Sequence, residues 1–285
     1  MTNRRRIAYL GPEGTYTDEA AFTYAPGEVR VPYPTLAEVV AAVESREVDE
    51  AVAPIENSLV GTILDIVDFL IRSAHSRIVG EVLIPIEACL IAKPGTRLSD
   101  IRVVRSKQEA LGQCREFLLA NLPGAELEPV GSTAGAVASL AGTDGSIAAL
   151  GPRRAAQING MEILAEGVQD RGNNVTRFAV LGRGVCGRTG HDKTSIVFDF
   201  AKADEPGLIV RALKLFSDRS INLTKIESRP TGLELGSYHF LLDFEGHVDD
   251  EPVAEVLEEL GKYASMLKVL GSYPRARNIG AVRRD

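Results

Sequence analysis

Through residue 183 the apolar positions alternate between short β-rich runs and stretches with helical spacing. Residues 6–10 read as a strand that ends in Gly11-Pro12-Glu13-Gly14-Thr15. Thr35 and Glu38 form a capping box that opens a helix with Leu36, Val39, Val40 and Val43 on one face. A strand at 50–53 is ended by Pro54 and followed by Glu56-Asn57-Ser58; Ile63, Ile66, Val67 and Leu70 then mark another helix. Residues 77–92 are extended with a bend or edge at Pro85, after which strands at 101–104, 127–130 and 146–150 alternate with helices at 108–120, 134–140 and from Pro152. Gly131-Ser132-Thr133 caps the helix at 134. This is α/β architecture with mostly parallel pairing expected, built either as one sheet or as two lobes around a cleft.

Residues 182–190 contain four glycines and little apolar content, which marks a linker. Beyond it the pattern changes to strand 195–200, helix 207–217, strands 223–228 and 237–244, helix 251–260 and strand 267–272. That β-α-β-β-α-β order is the ferredoxin-like arrangement. The tail from Arg275 is basic and expected to fray.

Composition narrows the function. The 285 residues are 45% hydrophobic and 25% charged, which excludes disorder and a collagen-like chain; the length fits one large domain or two domains of unequal size, and favours the second. No apolar run approaches the ~18 residues of a membrane span. The basic start Arg4-Arg5-Arg6 is followed by too short an apolar run for a secretory signal, so a cytoplasmic protein is expected. Cys89, Cys114 and Cys186 have no C-x-x-C spacing and are expected to be buried thiols; with four histidines they form no metal-type cluster. A net charge of −7 argues against a nucleic-acid surface, so an anionic ligand must be held locally against the overall field.

Ligands in open α/β sheets collect beyond the carboxyl ends of strands. The loops there are 11–15, 56–62, 131–133 and 151–154, with 173–178 joining them if it faces the same cleft. All are rich in hydroxyls, amides or glycine, and two lie at helix N-termini, which suits a small polar anion. Each has a plainer reading: 11–15 as a turn, Ser132-Thr133 as an N-cap, Glu56 as a turn residue, Arg177 as a strand-edge charge, and His75 as an ordinary helix-end residue. No phosphate loop, dinucleotide fingerprint or nucleophile elbow is present.

Together these loops resemble the prephenate dehydratase family. The matching segments are residues 9–17 (YLGPEGTYT), 54–62 (PIENSLVGT), Ser132-Thr133-Ala134, and Asp170 with 173–178 (NNVTRF). The C-terminal block is similar to the ACT regulatory domain through Pro206-Gly207-Leu208 and 222–230 (NLTKIESRP). The resemblance implies a two-lobed catalytic domain folded like a periplasmic binding protein at 4–183, with lobe 1 at about 4–77 and 166–183 and lobe 2 at about 78–165. A linker at 184–193, an ACT domain at 194–274 and a tail at 275–285 would complete the chain.

The implied reaction converts prephenate to phenylpyruvate, carbon dioxide and water without metal or organic cofactor. Aromatisation supplies most of its driving force, so the protein mainly orients the substrate and helps hydroxide leave. The resemblance makes Thr176 the hydroxyl that assists departure, Arg177 a carboxylate clamp and Phe178 the packing beneath the ring. Glu56, Asn57 and Ser58 join them, and Thr15, Gly61, Thr62, Ser132, Thr133 and Asn173 line the site. Glu56 beside a dianion must be protonated or must hold Arg177 or a loop amide in place. Gly207, Leu208, Asn222, Leu223, Glu227, Ser228 and Arg229 would hold phenylalanine as a feedback effector between two ACT domains, which implies a homodimer or homotetramer. Lys107 stands where relatives carry histidine, and Arg153-Arg154 replace a serine stretch. The rival readings are an arogenate dehydratase and a non-catalytic protein that senses a small anion.

Overall fold

The computed structural model describes residues 4–200, 205–232 and 236–276. In chain order the first lobe contains β1 (Arg6–Leu10), α1 (Tyr16–Tyr24), β2 (Val29–Tyr33), α2 (Leu36–Glu44), β3 (Glu50–Asn57), β4 (Gly61–Thr62), α3 (Leu64–Arg72) and β5 (Arg77–Pro85). The second lobe contains β6 (Cys89–Ala92), β7 (Val103–Ser106), α4 (Gln108–Gln113), α5 (Arg115–Asn121), β8 (Glu126–Pro129), α6 (Thr133–Ser139), β9 (Ile147–Gly151), α7 (Arg153–Asn159) and β10 (Glu162–Ala165). The chain returns to the first lobe as β11 (Val175–Gly182). The C-terminal block is β12 (Asp192–Phe200), α8 (Leu208–Asp218), β13 (Leu223–Pro230), β14 (Tyr238–Glu245), α9 (Glu251–Gly261) and β15 (Ala264–Pro274).

Three sheets result, ordered β2-β1-β3-β11-β5 with β4 beside β3, then β10-β6-β9-β7-β8, then β13-β14-β12-β15. Pairing within the lobes is mixed, not mostly parallel. β1 joins β2 and β3, and β7 joins β8 and β9, in parallel, but β11 runs antiparallel to β3 and β5, and β6 to β9 and β10. The segments that carry the chain between lobes enter each sheet against its direction.

The crossing lies later than residue 78. Residues 77–85 form β5, inside the first sheet, and the chain crosses at 86–88. Val168 still packs in the second lobe's core, and the Asp170 N–H donates to Gln113 O, so the return occupies 171–174. The first crossing is tied at both ends: Val168 N–H of the second lobe donates to Ala88 O, and Ile86 N–H donates to Asn174 O of the return.

Two further expectations change. The helix at 108–120 is broken at Cys114 into α4 and α5. The strand at 50–53 runs on through Pro54 to Asn57, because the register against β11 shifts between Arg177–Glu56 and Phe178–Pro54. Ile55 is the additional residue of this β-bulge, and a bulge tolerates proline. Elsewhere local chemistry acts as read: Thr35 Oγ1 accepts from Glu38 N–H at 3.2 Å, and Ser132 Oγ from Gly135 N–H at 3.0 Å.

The C-terminal domain packs its sheet directly on lobe 1. Val197, Leu241, Leu270 and Tyr273 share one core with Ala53, Ile55, Ile66, Leu70, Ile78, Ala179 and Leu181. Gly271 permits this approach, since a Cβ there would lie 2.1 Å from Ile78 O. Lys268 Nζ donates to the carbonyls of Leu70 and Ile71 at 2.8 Å each, satisfying the end of α3. The glycine-rich segment is tied down as well: Arg183 donates to Glu44 O, and Cys186 O contacts His247 Nε2 at 2.9 Å. Arg275 and Ala276 are also held, through His191 O and Glu81 Oε1, so the expected fraying does not begin at Arg275; residues 277–285 lie outside the described residues.

Candidate active site

Along β11 the side chains of Thr176, Phe178 and Val180 lie on one face of the sheet, and Arg177, Ala179 and Leu181 on the other. Phe178 and Val180 pack with Tyr9, Ala20 and Ala21 on the α1 side, whereas Ala179 and Leu181 pack toward the C-terminal domain. On β3 the bulge decides which polar residue faces which way. It sets Glu56 opposite Arg177 and Asn57 opposite Thr176.

Thr176 is 7% exposed and accepts a hydrogen bond from Asn57 Nδ2 at 2.9 Å. The same Nδ2 donates to Asn174 Oδ1 at 2.7 Å. Asn57 Oδ1 accepts from Leu59 and Val60 N–H at 3.0 and 3.1 Å, which fixes the orientation of the amide. Since Thr176 Oγ1 is an acceptor from Asn57, its own proton is free to be donated elsewhere, and the amide polarises it for that task. Ser58 Oγ donates to Asn173 O and accepts from Val175 N–H at 3.0 and 2.9 Å, tying this loop to β11. Asn174, buried at 6%, is therefore the partner that sequence reasoning missed; it sits beside Asn173, whose side chain is exposed.

Two cavities lie between the lobes, and the second of them reaches Asn174. One of about 230 Å³ is lined by Tyr16, Lys107, Cys114, Thr133, Gly151 and Gln169 among others. The other, of about 510 Å³, takes in Val60, Gln113, Gln169, Arg171 and Asn174. They meet at Gln113 and Gln169. Burial pushes the Cys114 thiol up to about 12, so it stays protonated and is no nucleophile.

Several expected lining residues serve the scaffold instead. Thr15 caps α1, accepting from Asp18 N–H at 3.2 Å, and Asp18 Oδ2 takes the Gly14 N–H at 3.0 Å, so the start of α1 is satisfied internally. Ser132 is likewise an N-cap, while Thr133 reaches the cavity. Gly61 pairs with Asn57 at a backbone φ of 89°, a conformation suited to glycine. Thr62 turns away from the cleft and donates to Glu227 Oε2. Phe178 is 1% exposed in the core and supports the strand from below rather than touching a ligand ring.

Arg177 departs furthest from its expected role. It is 8% exposed and points away from the cleft, where Nε contacts Glu56 Oε2 at 2.9 Å, Nη2 Asp243 Oδ2 at 2.7 Å and Nη1 Glu81 Oε2 at 3.3 Å. Tyr273 Oη is 3.4 Å from Nη1. Burial alone disfavours the charge, but the carboxylates, led by Asp243, outweigh it and raise the guanidinium's affinity for its proton. With its fork already occupied, Arg177 is not a substrate clamp. Of the two roles open to Glu56, the structure shows the holding of Arg177. The cations that border the cavities are Lys107 and Arg171. Arg154 binds Asp18 across the cleft at 2.5 Å, and Arg153 binds Glu166.

The expected effector residues divide in the same way. Gly207 and Leu208 line a cavity of about 170 Å³ with Phe200, Ser237, Tyr238 and Phe240, and Ser228 pairs with Phe240 beside it. Glu227 and Arg229 face lobe 1, on Thr62 and Asp68. Asn222 and Leu223 sit at the far end of β13, about 20 Å away along the strand.

The prephenate dehydratase family model matches residues 7–185, and the ACT domain model residues 194–262. A prephenate dehydratase of Mycobacterium tuberculosis (strain H37Rv) is 39% identical over 97% of this chain and 89% of its own. An arogenate dehydratase/prephenate dehydratase of Arabidopsis thaliana is 41% identical over 95% of this chain and 73% of its own. Among solved structures, a prephenate dehydratase from Arthrobacter aurescens in complex with L-Phe has a TM-score of 0.87 at 37% identity, covering 95% of this chain and 90% of that one. With its cleft, its Asn57–Thr176 pair and its appended ACT domain, the chain belongs to the prephenate dehydratase family.

Proposed function

We propose that the chain converts prephenate to phenylpyruvate, carbon dioxide and water in the cleft between its lobes, under feedback control by phenylalanine. The observation that carries this reading is the Asn57–Thr176 hydrogen bond at 2.9 Å, in which the threonine oxygen accepts and its own proton stays available for donation. As carbon dioxide leaves one end of the ring, the hydroxyl at the other departs with its electron pair. Thr176 donates a hydrogen bond to that oxygen, and Asn57 steadies the growing polarity on Oγ1. A threonine is too weak an acid to surrender its proton outright, so it stabilises the leaving oxygen or relays a proton to it. The two substrate carboxylates lie toward Lys107 and Arg171, which supply positive charge within a protein of net charge −7.

Phenylalanine occupies the ACT cavity at Gly207 and Leu208, beside Ser228, completed by Asn222 and Leu223 of a second copy. The separation of these groups along one sheet supports a homodimer or homotetramer. No helix among the described residues is long and apolar enough to cross a membrane. The Arabidopsis relative's name supports arogenate as a second substrate. Ultraviolet assay of phenylpyruvate from prephenate and of phenylalanine from arogenate separates the readings. Turnover of prephenate is expected, turnover of arogenate alone would reassign the substrate, and turnover of neither would refute the enzyme.

A further inference from the structure

The regulatory sheet reaches the active-site strands through a small set of charges. Lys225, on the edge strand β13, is 12% exposed at its side chain and donates to Thr62 Oγ1 at 2.5 Å. Its Nζ lies 3.8 Å from Glu56 Oε1 and 3.6 Å from Glu227 Oε2. Thr62 is the cross-strand neighbour of Glu56, and Gly61 of Asn57. One side chain of the ACT domain thus holds both strands that place Asn57, the donor to Thr176. The cation also stands between Glu56 and Glu227; without it Glu227 would face Glu56 with only Arg177 to offset the two charges.

β13 presents two faces. Lys225, Glu227 and Arg229 turn toward lobe 1, while Ile226 and Ser228 turn to the open side, where Ile226 is 53% exposed. A ligand seated on the open face and a contact to the active-site strands therefore share one strand, separated only by its thickness.

We propose that Lys225 is the positioning residue that transmits effector binding to the catalytic pair, through Glu56 and Thr62 to Asn57 and Thr176. This rests on the reading that phenylalanine binds the ACT domain of a dehydratase. A ligand that shifts or twists β13 changes the reach of Lys225 to Glu56, and with it the aim of the Asn57 amide. The coupling needs no movement of the ACT domain away from lobe 1.

The test is Lys225→Met in the full chain, with Lys225→Arg as the charge-preserving control. Lys225→Met should bind phenylalanine, by calorimetry, within about threefold of the wild type, while the concentration for half-inhibition of phenylpyruvate formation rises by about tenfold or more. Lys225→Arg should restore inhibition. Hydrogen exchange supplies a readout independent of turnover: phenylalanine should alter exchange of residues 54–62 in the wild type and not in Lys225→Met. Wild-type inhibition in Lys225→Met, loss of binding together with inhibition, or no phenylalanine-dependent exchange at 54–62 in the wild type would each overturn the proposal. Absence of wild-type turnover would refute the dehydratase reading instead, leaving the exchange comparison to decide this one.

Discussion

Lobe 1 and lobe 2 hold their neighbours in different ways. Lobe 1 merges its core with the ACT domain, through Ile78, Ala179 and Leu181 against Val197, Leu241 and Tyr273, with Arg177 buried among carboxylates from both sides. Lobe 2 has its own cores and joins lobe 1 through the crossings at 86–88 and 171–174 and a contact at the far rim. At that rim Arg154 binds Asp18, whose side chain is fully buried, and lies 4.7 Å over the Phe22 ring. Gly14 there has φ of 84°, and a Cβ would stand 3.0 Å from Ala155 Cα. A merged apolar core resists rearrangement, whereas a paired hinge with a polar rim can open and close. The expected moving part is therefore lobe 2, with lobe 1 and the ACT domain acting as one body.

The contrast can be broken first at the merged core. Gly271→Val forces a side chain into Ile78 O and should cost about 3 kcal/mol, visible as an earlier denaturant midpoint. Wild-type stability would show that lobe 1 and the ACT domain are not so joined. A smaller effect is expected at the rim. Arg154→Met leaves Asp18 with Arg30, at 3.1 Å, and the Gly14 N–H, so the loss should be about 2 kcal/mol and not that of an isolated buried charge. Its distinctive sign is a several-fold rise in KM for prephenate, because closure loses its rim contact. An unchanged KM would show that this ion pair does not govern closure.

Much of this was legible in the sequence, for identifiable reasons. The C-terminal domain shows its six elements because α8 and α9 are amphipathic and β12, β14 and β15 are apolar-rich runs within their own spans, and the caps at Thr35 and Ser132 act over three residues. What was not legible depends on register. Pro54 marks a strand end unless a partner strand absorbs it in a bulge, and that partner, β11, lies about 120 residues later. The same bulge sends Glu56 and Arg177 to one face and Asn57 and Thr176 to the other. A motif that runs Thr-Arg-Phe cannot reveal that its arginine serves a different domain from its threonine. Asn173 and Asn174 lie in the turn before β11, where no strand alternation tells which amide turns inward; Asn174 is the one that meets Asn57. Lys107 stood out only as a departure from the family pattern, and the fold places it at the cavity.

Under the proposed function Thr176 meets the departing hydroxyl, while its neighbour Arg177 does not touch substrate. Steady-state formation of phenylpyruvate from prephenate by Thr176→Ala tests it most directly. The variant should lose at least about 100-fold in kcat, with KM within about threefold of the wild type, as for removal of a preorganised donor. A kcat close to that of the wild type would show that Thr176 does not assist the departing hydroxyl.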